Sequence, residues 1–185
     1  MVFRVDVDII RNVHSSSDRP GQEVRFPDGT PVFALHIDAR NGGYSPPDFG
    51  LYLDMAWRPD WPSTVIPWED FEDPPDRNVL FEEVLAAFRR AKSGQWVEIG
   101  CLAACGRTGT VLACMATLAE VPADEAILWV RTHYDNCAVE TLSQKALINE
   151  FEKWFSSLPN LPPELCTRSA PRAMTPPGWW LPVSD

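Results

Sequence analysis

The stretch from residue 95 to residue 120 constrains the fold of this chain more than any other. Residues 95–99 (QWVEI) are typical of a buried strand, and a loop at 101–107 follows directly. The apolar segment VLACMATLAEV then predicts a helix from about Thr108 to Glu120. A strand that runs through a short loop into a helix is typical of an α/β domain with one central sheet.

The segments on either side predict the same fold class. Between residues 57 and 76 the prolines favour irregular structure. We therefore predict a single α/β domain over residues 1–155, with a central sheet flanked by helices, and a Pro-rich C-terminal tail at 156–185. The predicted strands are 2–10, 32–37 and 51–57, and the predicted helices run from Asp76 to about Ser93, from Pro122 to Tyr134 and from Thr141 to Phe155.

The charge balance excludes some partners. With 16 basic and 26 acidic residues, the net charge is −10, which disfavours nucleic acid and an anionic membrane surface. The five cysteines are scattered and lack metal-ligand spacing, which predicts reduced thiols. The N-terminal residues lack the apolar run of a signal peptide. We expect a cytoplasmic protein.

The loop at 101–107 has the residues needed for phosphate chemistry. Backbone N–H groups at the start of a helix, together with the helix dipole, form an anion site. Cys101 begins the loop, where N–H donors and a cation favour the thiolate. Arg107 ends it with a planar fork that can bind two phosphate oxygens, and Thr108 can donate its hydroxyl to the sulfur. A soft nucleophile, an anion cradle and a bidentate cation together indicate thiol–phosphate exchange.

Cys101, five further residues, then Arg107-Thr-Gly-Thr110 resemble the Cys-x5-Arg-[Ser/Thr] signature of the protein tyrosine and dual-specificity phosphatases. The resemblance spans roughly residues 50–155 and depends on its strand–loop–helix context. It implies that Cys101 is the nucleophile, that Arg107 binds the phosphate, and that no metal or cofactor is required. The phosphate-binding loop would comprise Leu102, Ala103, Ala104, Cys105 and Gly106.

Three residues depart from the family pattern. Gly100 stands where the family usually has histidine, and Ala104 stands where it usually has glycine. A cysteine inside the loop, Cys105, is also unusual. The β-carbon of Ala104 is expected to strain the turn or crowd the phosphate.

The family uses an aspartate about thirty residues before the cysteine as general acid. Asp70, in Trp68-Glu-Asp-Phe71, lies 31 residues before Cys101 and is the predicted acid. Asp73 is the second candidate and Asp60 the third. The alternative for each is a solvated loop carboxylate or a helix cap.

Residues 138–144 resemble the family's glutamine loop, in which glutamines orient the hydrolytic water. Gln144 matches the second position of that pattern, while Glu140 departs from the first. Thr141 and Gln144 also form a capping-box pattern, so Gln144 has a structural alternative. Both interpretations stay open at this point.

The predicted activity is phosphomonoester hydrolysis through a cysteinyl-phosphate. The predicted substrate is a phosphotyrosine protein or a small phosphate monoester such as a sugar or nucleoside phosphate. Two alternatives belong to other classes. The departures at Gly100 and Ala104 are compatible with a phosphate-binding module without turnover, and Cys101 with Cys105 suggests a thiol redox protein.

Overall fold

The computed structural model describes residues 20–42, 44–55 and 57–159, and of residues 40–42 only the backbone. The strand predicted at 2–10 and the Pro-rich tail from residue 160 onward lie outside these ranges. Helix α4 ends at Ser157, two residues beyond the predicted end of the domain.

A mixed five-stranded sheet forms the centre of the described chain. Its order is β1-β2-β5-β3-β4, in which β1 is antiparallel to β2 and the other pairs are parallel. The predicted α/β class with one central sheet is confirmed. The strands are β1 (Gln22–Arg25), β2 (Pro31–His36), β3 (Phe49–Leu53), β4 (Ser63–Ile66) and β5 (Val97–Cys101). The helices are α1 (Arg77–Lys92), α2 (Gly106–Leu118), α3 (Ala123–His133) and α4 (Leu142–Ser157), with a 3-10 helix at Ile37–Gly42.

Elements with local signals match their predictions. Asp76 caps α1 by accepting hydrogen bonds from the N–H groups of Asn78 and Val79. Gly94 follows the helix with φ of +88°, the left-handed conformation that ends many helices. Both ends of α1 were therefore predictable from the residues that form them.

The sequence did not predict two of the strands, and it placed the end of a third strand too late in the chain. Strand β1 was not predicted, and β4 lies in the segment predicted to be irregular. The four residues of β4 fit between Pro62 and Pro67, so the prolines bound the strand instead of preventing it. Strand β3 ends at Leu53, because beyond it the Asp54 carboxylate accepts the N–H of Trp57 in a turn.

The central strand–loop–helix is shifted from its predicted bounds. Strand β5 includes Cys101, which pairs with His36 of β2 and Leu53 of β3. Helix α2 begins at Gly106, so Gly106 and Arg107 belong to its first turn. The loop is therefore only residues 102–105, between the carboxyl end of the central strand and a helix N-terminus.

The core lies on the side of the sheet that packs against the helices. Helix α2 is buried along nearly its whole length and contacts α1, α3, α4 and β5. A helix that is apolar all round belongs in the interior. Its burial fixes the position of its N-terminus relative to β5. Among the described residues, no helix has the length and apolarity needed to cross a membrane.

Candidate active site

The loop after β5 turns the chain from the central strand into α2. Cys101 ends the strand and is 1% exposed. Leu102 and Ala103 are exposed, while Cys105 and the first turn of α2 are buried. Ala104 has φ of +52°, so it occupies the left-handed region in which a β-carbon is unfavourable. The strain expected at Ala104 is therefore present in the backbone.

Arg107 connects this loop to the acidic loop that precedes α1. Its side chain is 3% exposed; Nη1 donates to the Trp68 carbonyl at 2.6 Å, and Nη2 lies 3.4 Å from Asp70 Oδ1. Trp68 is fully buried, and its Nε1 donates to the Glu72 carbonyl at 2.7 Å. The buried indole thus anchors the acidic loop, and the Asp70 carboxylate, 42% exposed, lies at the rim beside Arg107.

The other two acid candidates have different surroundings. Asp73 accepts a hydrogen bond from Arg77 Nη2 at 2.7 Å, and Arg77 also binds Glu150. These two carboxylates raise the pKa of the Arg77 guanidinium above its ordinary value. Asp60 is exposed in the segment before β4. Of the three aspartates, the structure pairs Asp70 with Arg107 and Asp73 with Arg77.

Two polar atoms at the start of α2 lack hydrogen-bond partners among the described residues. They are Arg107 Nε and Thr108 Oγ1, and both are fully buried. The hydrogen bond predicted from the Thr108 hydroxyl to the Cys101 sulfur is therefore not formed in this state. Buried donors without partners are costly, and here they occur side by side at the predicted anion site.

Gln144 forms the capping box that the sequence suggested and keeps a free amide nitrogen. Its Oε1 accepts the N–H groups of Glu140 and Thr141, and the Thr141 hydroxyl accepts the N–H of Gln144, which completes the box. Its Nε2 is buried without a partner in the described chain. A β-carbon at Gly106 would lie 3.0 Å from that nitrogen and 2.0 Å from Glu140 Oε2. One end of the amide thus caps α4, and the other faces the first residue of α2.

The prediction of reduced thiols is wrong for one pair. Cys105 and Cys137 form a disulfide, with their Cα atoms 5.8 Å apart. Cys101 and Cys114 are free and buried, so the proposed Cys101–Cys105 redox pair is not formed. Burial raises the pKa of the Cys114 thiol well above its ordinary value. The disulfide joins residues 32 positions apart, which no local spacing reveals, and it removes one argument for the expected cytoplasmic location.

The glycine before the nucleophile has a packing explanation. Gly100 pairs with Leu35 on one side and Tyr52 on the other. A β-carbon there would lie 3.1 Å from the Leu35 carbonyl oxygen and 3.3 Å from Tyr52 Cδ1. Tyr52 is fully buried, and its hydroxyl donates to Glu98 at 3.0 Å. An imidazole at position 100 would have to displace this tyrosine.

Two residues near the loop were missed by sequence reasoning. His36 has no ligand spacing, which predicts a surface or packing residue, yet it ends β2 directly beside Cys101. Its position at the carboxyl end of a predicted strand was the available signal, because the carboxyl ends of parallel strands meet at one edge. Tyr134 follows α3 and donates its hydroxyl to the Ala104 carbonyl. No sequence signal marks that contact, since the spacing of Tyr134 predicts only a place on the apolar face of the helix.

In the ranges that the structure describes, no group of three or more histidine, cysteine, aspartate and glutamate side chains is arranged to hold a metal ion. The polar side chains that converge on the loop are instead a cation, an acid, an amide and two hydroxyls. They are Arg107, Asp70, Gln144, Thr108 and Tyr134.

Comparison of the sequence with known proteins gives two archaeal relatives. The uncharacterized proteins MJECL20 and MJ0215 of Methanocaldococcus jannaschii are each 30% identical over 139 residues, which cover 69% of this chain and 87% and 80% of theirs. The chain belongs to the same family as these two proteins. No family model matches the sequence.

Comparison of the structure identifies the superfamily fold. Tk-PTP in its active form has a TM-score of 0.51 and 25% identity, over 58% of this chain and 79% of that one. A mouse putative dual-specificity phosphatase complexed with zinc tungstate has a TM-score of 0.53 and 15% identity, over 78% and 95% of the two chains. The chain has the protein tyrosine and dual-specificity phosphatase fold. The superfamily resemblance stated from the Cys-x5-Arg motif is confirmed, and these two structural neighbours are phosphatases.

Proposed function

We propose that the protein is a metal-independent phosphomonoester hydrolase in which Cys101 is the nucleophile, Arg107 the phosphate clamp and Asp70 the general acid. The observation that supports this most directly is the position of Arg107. Arg107 belongs to the first turn of α2, six residues after Cys101. Its buried guanidinium lies 3.4 Å from the Asp70 carboxylate. The pairing of Arg107 with Asp70 supports a site in which the proposed clamp and the proposed acid act together on a phosphate at the loop after Cys101.

In the first half-reaction the Cys101 thiolate attacks phosphorus. An S–P bond forms, the P–O bond to the leaving group breaks, and Asp70 protonates the departing oxygen. Loop N–H groups from 102–106 and the Arg107 guanidinium stabilise the charge on the phosphoryl oxygens. Arg107 Nε and Thr108 Oγ1, buried without partners in the described chain, are donors that a bound phosphate and the sulfur would use.

In the second half-reaction water attacks the cysteinyl-phosphate. The S–P bond breaks, phosphate is released, and Asp70 accepts the proton of the water. Thr108 then donates its hydroxyl to the departing thiolate. The free Nε2 of Gln144, which faces Gly106, supports a role for this residue in orienting the water. Its Oε1 keeps the capping box at the same time.

The substrate class that the site favours has an apolar or aromatic group next to its phosphate. Two large apolar side chains flank the predicted chemistry in sequence and are exposed: Phe71, 62% exposed beside Asp70, and Leu102, 50% exposed beside Cys101. We infer that these two side chains contact an apolar part of the substrate, since they are exposed beside the proposed acid and the proposed nucleophile. They support an aryl phosphate such as phosphotyrosine over a sugar phosphate, because the hydroxyl groups of a sugar make most of its surface polar.

Substitution of the nucleophile tests this function. We expect Cys101→Ser to hydrolyse no aryl phosphate, because a serine hydroxyl is a poor nucleophile at neutral pH. It should still bind vanadate or tungstate, since the backbone donors remain. Cys114→Ala, at a free buried cysteine outside the loop, is the matched control and should keep its activity.

A panel of phosphopeptides and phosphorylated metabolites, assayed with and without EDTA, completes the test. Oxyanion binding by the wild type without turnover of any substrate would favour the alternative of a phosphate-binding module. Activity above a tenth of wild type in Cys101→Ser would exclude the cysteinyl-phosphate mechanism. Activity that EDTA removes and zinc or magnesium restores would exclude the metal-independent one.

A further inference from the structure

The turn at Ala104 needs an external contact to hold it. Its φ of +52° places an alanine in the left-handed region, which is unfavourable for a residue with a β-carbon. The turn itself supplies only a long hydrogen bond, from the Ala104 N–H to the Cys101 carbonyl at 3.4 Å. This conformation therefore depends on what surrounds it.

Tyr134 supplies that contact. Its hydroxyl donates a hydrogen bond to the carbonyl oxygen of Ala104. Burial raises the pKa of Tyr134 above its ordinary value, and the neighbouring charges of Cys101 and Asp135 raise it further. The hydroxyl consequently stays protonated, and remains a donor, throughout the neutral and mildly alkaline range.

The anchor is rigid. Tyr134 directly follows α3, and its N–H donates to the Val130 carbonyl at 2.9 Å. From strand β1, Gln22 Nε2 donates to the Tyr134 carbonyl at 3.2 Å. Arg131 binds the carbonyls of Ala138 and Val139, both at 2.9 Å, and so fixes the chain beyond it. The hydroxyl is thus positioned by a helix end and a strand, which move less than a loop does.

We propose that Tyr134 is a positioning residue for the phosphate-binding loop, holding the Ala104 carbonyl so that the strained turn keeps its shape. A trans peptide is planar, so the N–H of Cys105 points opposite to the Ala104 carbonyl. Fixing that carbonyl therefore fixes the direction of an N–H donor in the loop. In this chain the contact with Tyr134 compensates for an alanine where glycine would adopt the turn unaided. The inference rests on the proposed function.

The test is a double-mutant cycle of Tyr134→Phe and Ala104→Gly. Vanadate affinity is measured by titration calorimetry, together with kcat and KM on an aryl phosphate and the melting temperature. In the wild-type background, we expect Tyr134→Phe to weaken vanadate binding and lower kcat/KM by roughly fivefold to tenfold, the worth of one hydrogen bond. In the Ala104→Gly background the same substitution should cost less than about twofold, because glycine adopts the turn unaided.

Thr132→Val is the matched control. Thr132 lies in α3, two residues before Tyr134, and its hydroxyl also donates to a backbone carbonyl. That carbonyl belongs to Leu128 of the same helix and not to the phosphate-binding loop. The variant should leave vanadate affinity and kcat/KM unchanged.

Three results would overturn the proposal. Equal vanadate affinity and kcat/KM in wild type and Tyr134→Phe would overturn the role of Tyr134 and would leave the proposed roles of Cys101 and Arg107 unaffected. A loss of the same size in the wild-type and the Ala104→Gly backgrounds, with a matching fall in melting temperature, would show that Tyr134 acts only through general stability. A wild type that neither binds vanadate nor hydrolyses any phosphate ester would overturn the proposed function as well.

Discussion

At the scale of single residues, Arg107 joins two loops that are far apart in the sequence. It donates to the Trp68 carbonyl and lies beside the Asp70 carboxylate. In the proposed mechanism a substrate phosphate binds the same guanidinium. The Asp70 carboxylate and the phosphate therefore compete for Arg107, and we expect the acidic loop to shift when substrate binds.

Asp70→Asn should separate two roles of this carboxylate, its proposed role as general acid and its competition with phosphate for Arg107. Loss of the acid should lower kcat on an alkyl phosphate by about 10² to 10⁴-fold, and much less on a substrate with an acidic leaving group. Removal of the competing charge should tighten oxyanion binding by roughly twofold to fivefold, the worth of a partly exposed ion pair. The measurements are kcat on the two substrates and vanadate affinity.

Asp73→Asn and Asp60→Asn are the matched controls, because both change an acidic residue of the same region without touching Arg107. We expect neither to show a loss that depends on the leaving group. If either one does, and Asp70→Asn does not, the assignment of the acid is wrong.

At the scale of elements, the sequence predicted what local chemistry determines. The caps of α1 and α4 follow from Asp76 and from Thr141 with Gln144, whose partners lie within four residues. Strands β1 and β4 are four-residue edge strands that pair with β2 and β3, and so short a run of residues carries too little alternation to predict a strand. The Cys105–Cys137 disulfide was not predictable for a different reason, since only the packing of α2 against α3 brings its ends together.

The disulfide gives a prediction at this scale. A cross-link between residues 32 positions apart stabilises the folded chain by roughly 3–4 kcal/mol in the chain-entropy model. We expect Cys137→Ser to lower the melting temperature by about 10 °C, and a dithiol reductant to lower that of the wild type equally. Thermal unfolding followed by circular dichroism is the measurement.

Asn136→Ser, at the exposed neighbouring residue, is the control and should melt like the wild type. The reductant should not change the melting temperature of Cys137→Ser. A wild-type melting temperature that is insensitive to reduction would contradict a stabilising role for the bond.

At the scale of the whole molecule, the negative net charge of the protein opposes the approach of the proposed anionic substrate. The chain has a net charge of −10, yet the proposed substrate is an anion that binds at a buried arginine. The attraction is local, whereas the repulsion from the acidic surface acts over the Debye length, which is about 30 Å at 0.01 M salt and about 8 Å at 0.15 M.

Ionic strength should therefore discriminate between substrates. As salt rises over this range, we expect kcat/KM for a phosphopeptide with acidic flanks to rise relative to kcat/KM for the same peptide with basic flanks, by about twofold or more. Screening weakens the repulsion of the first and the attraction of the second. A ratio that stays constant would show that the net charge of the protein does not affect substrate encounter.

The buried indole of Trp68 allows the acidic loop to be followed by tryptophan fluorescence. Its ring is fully buried, and its backbone carbonyl accepts a hydrogen bond from Arg107. Its Nε1 donates a hydrogen bond to the carbonyl of Glu72, two residues after Asp70. Any ligand that takes the guanidinium alters the electric field at this chromophore without exposing it to water. The emission wavelength of Trp68 should therefore report occupancy of the site in real time, and Trp68→Phe identifies its share among the eight tryptophans.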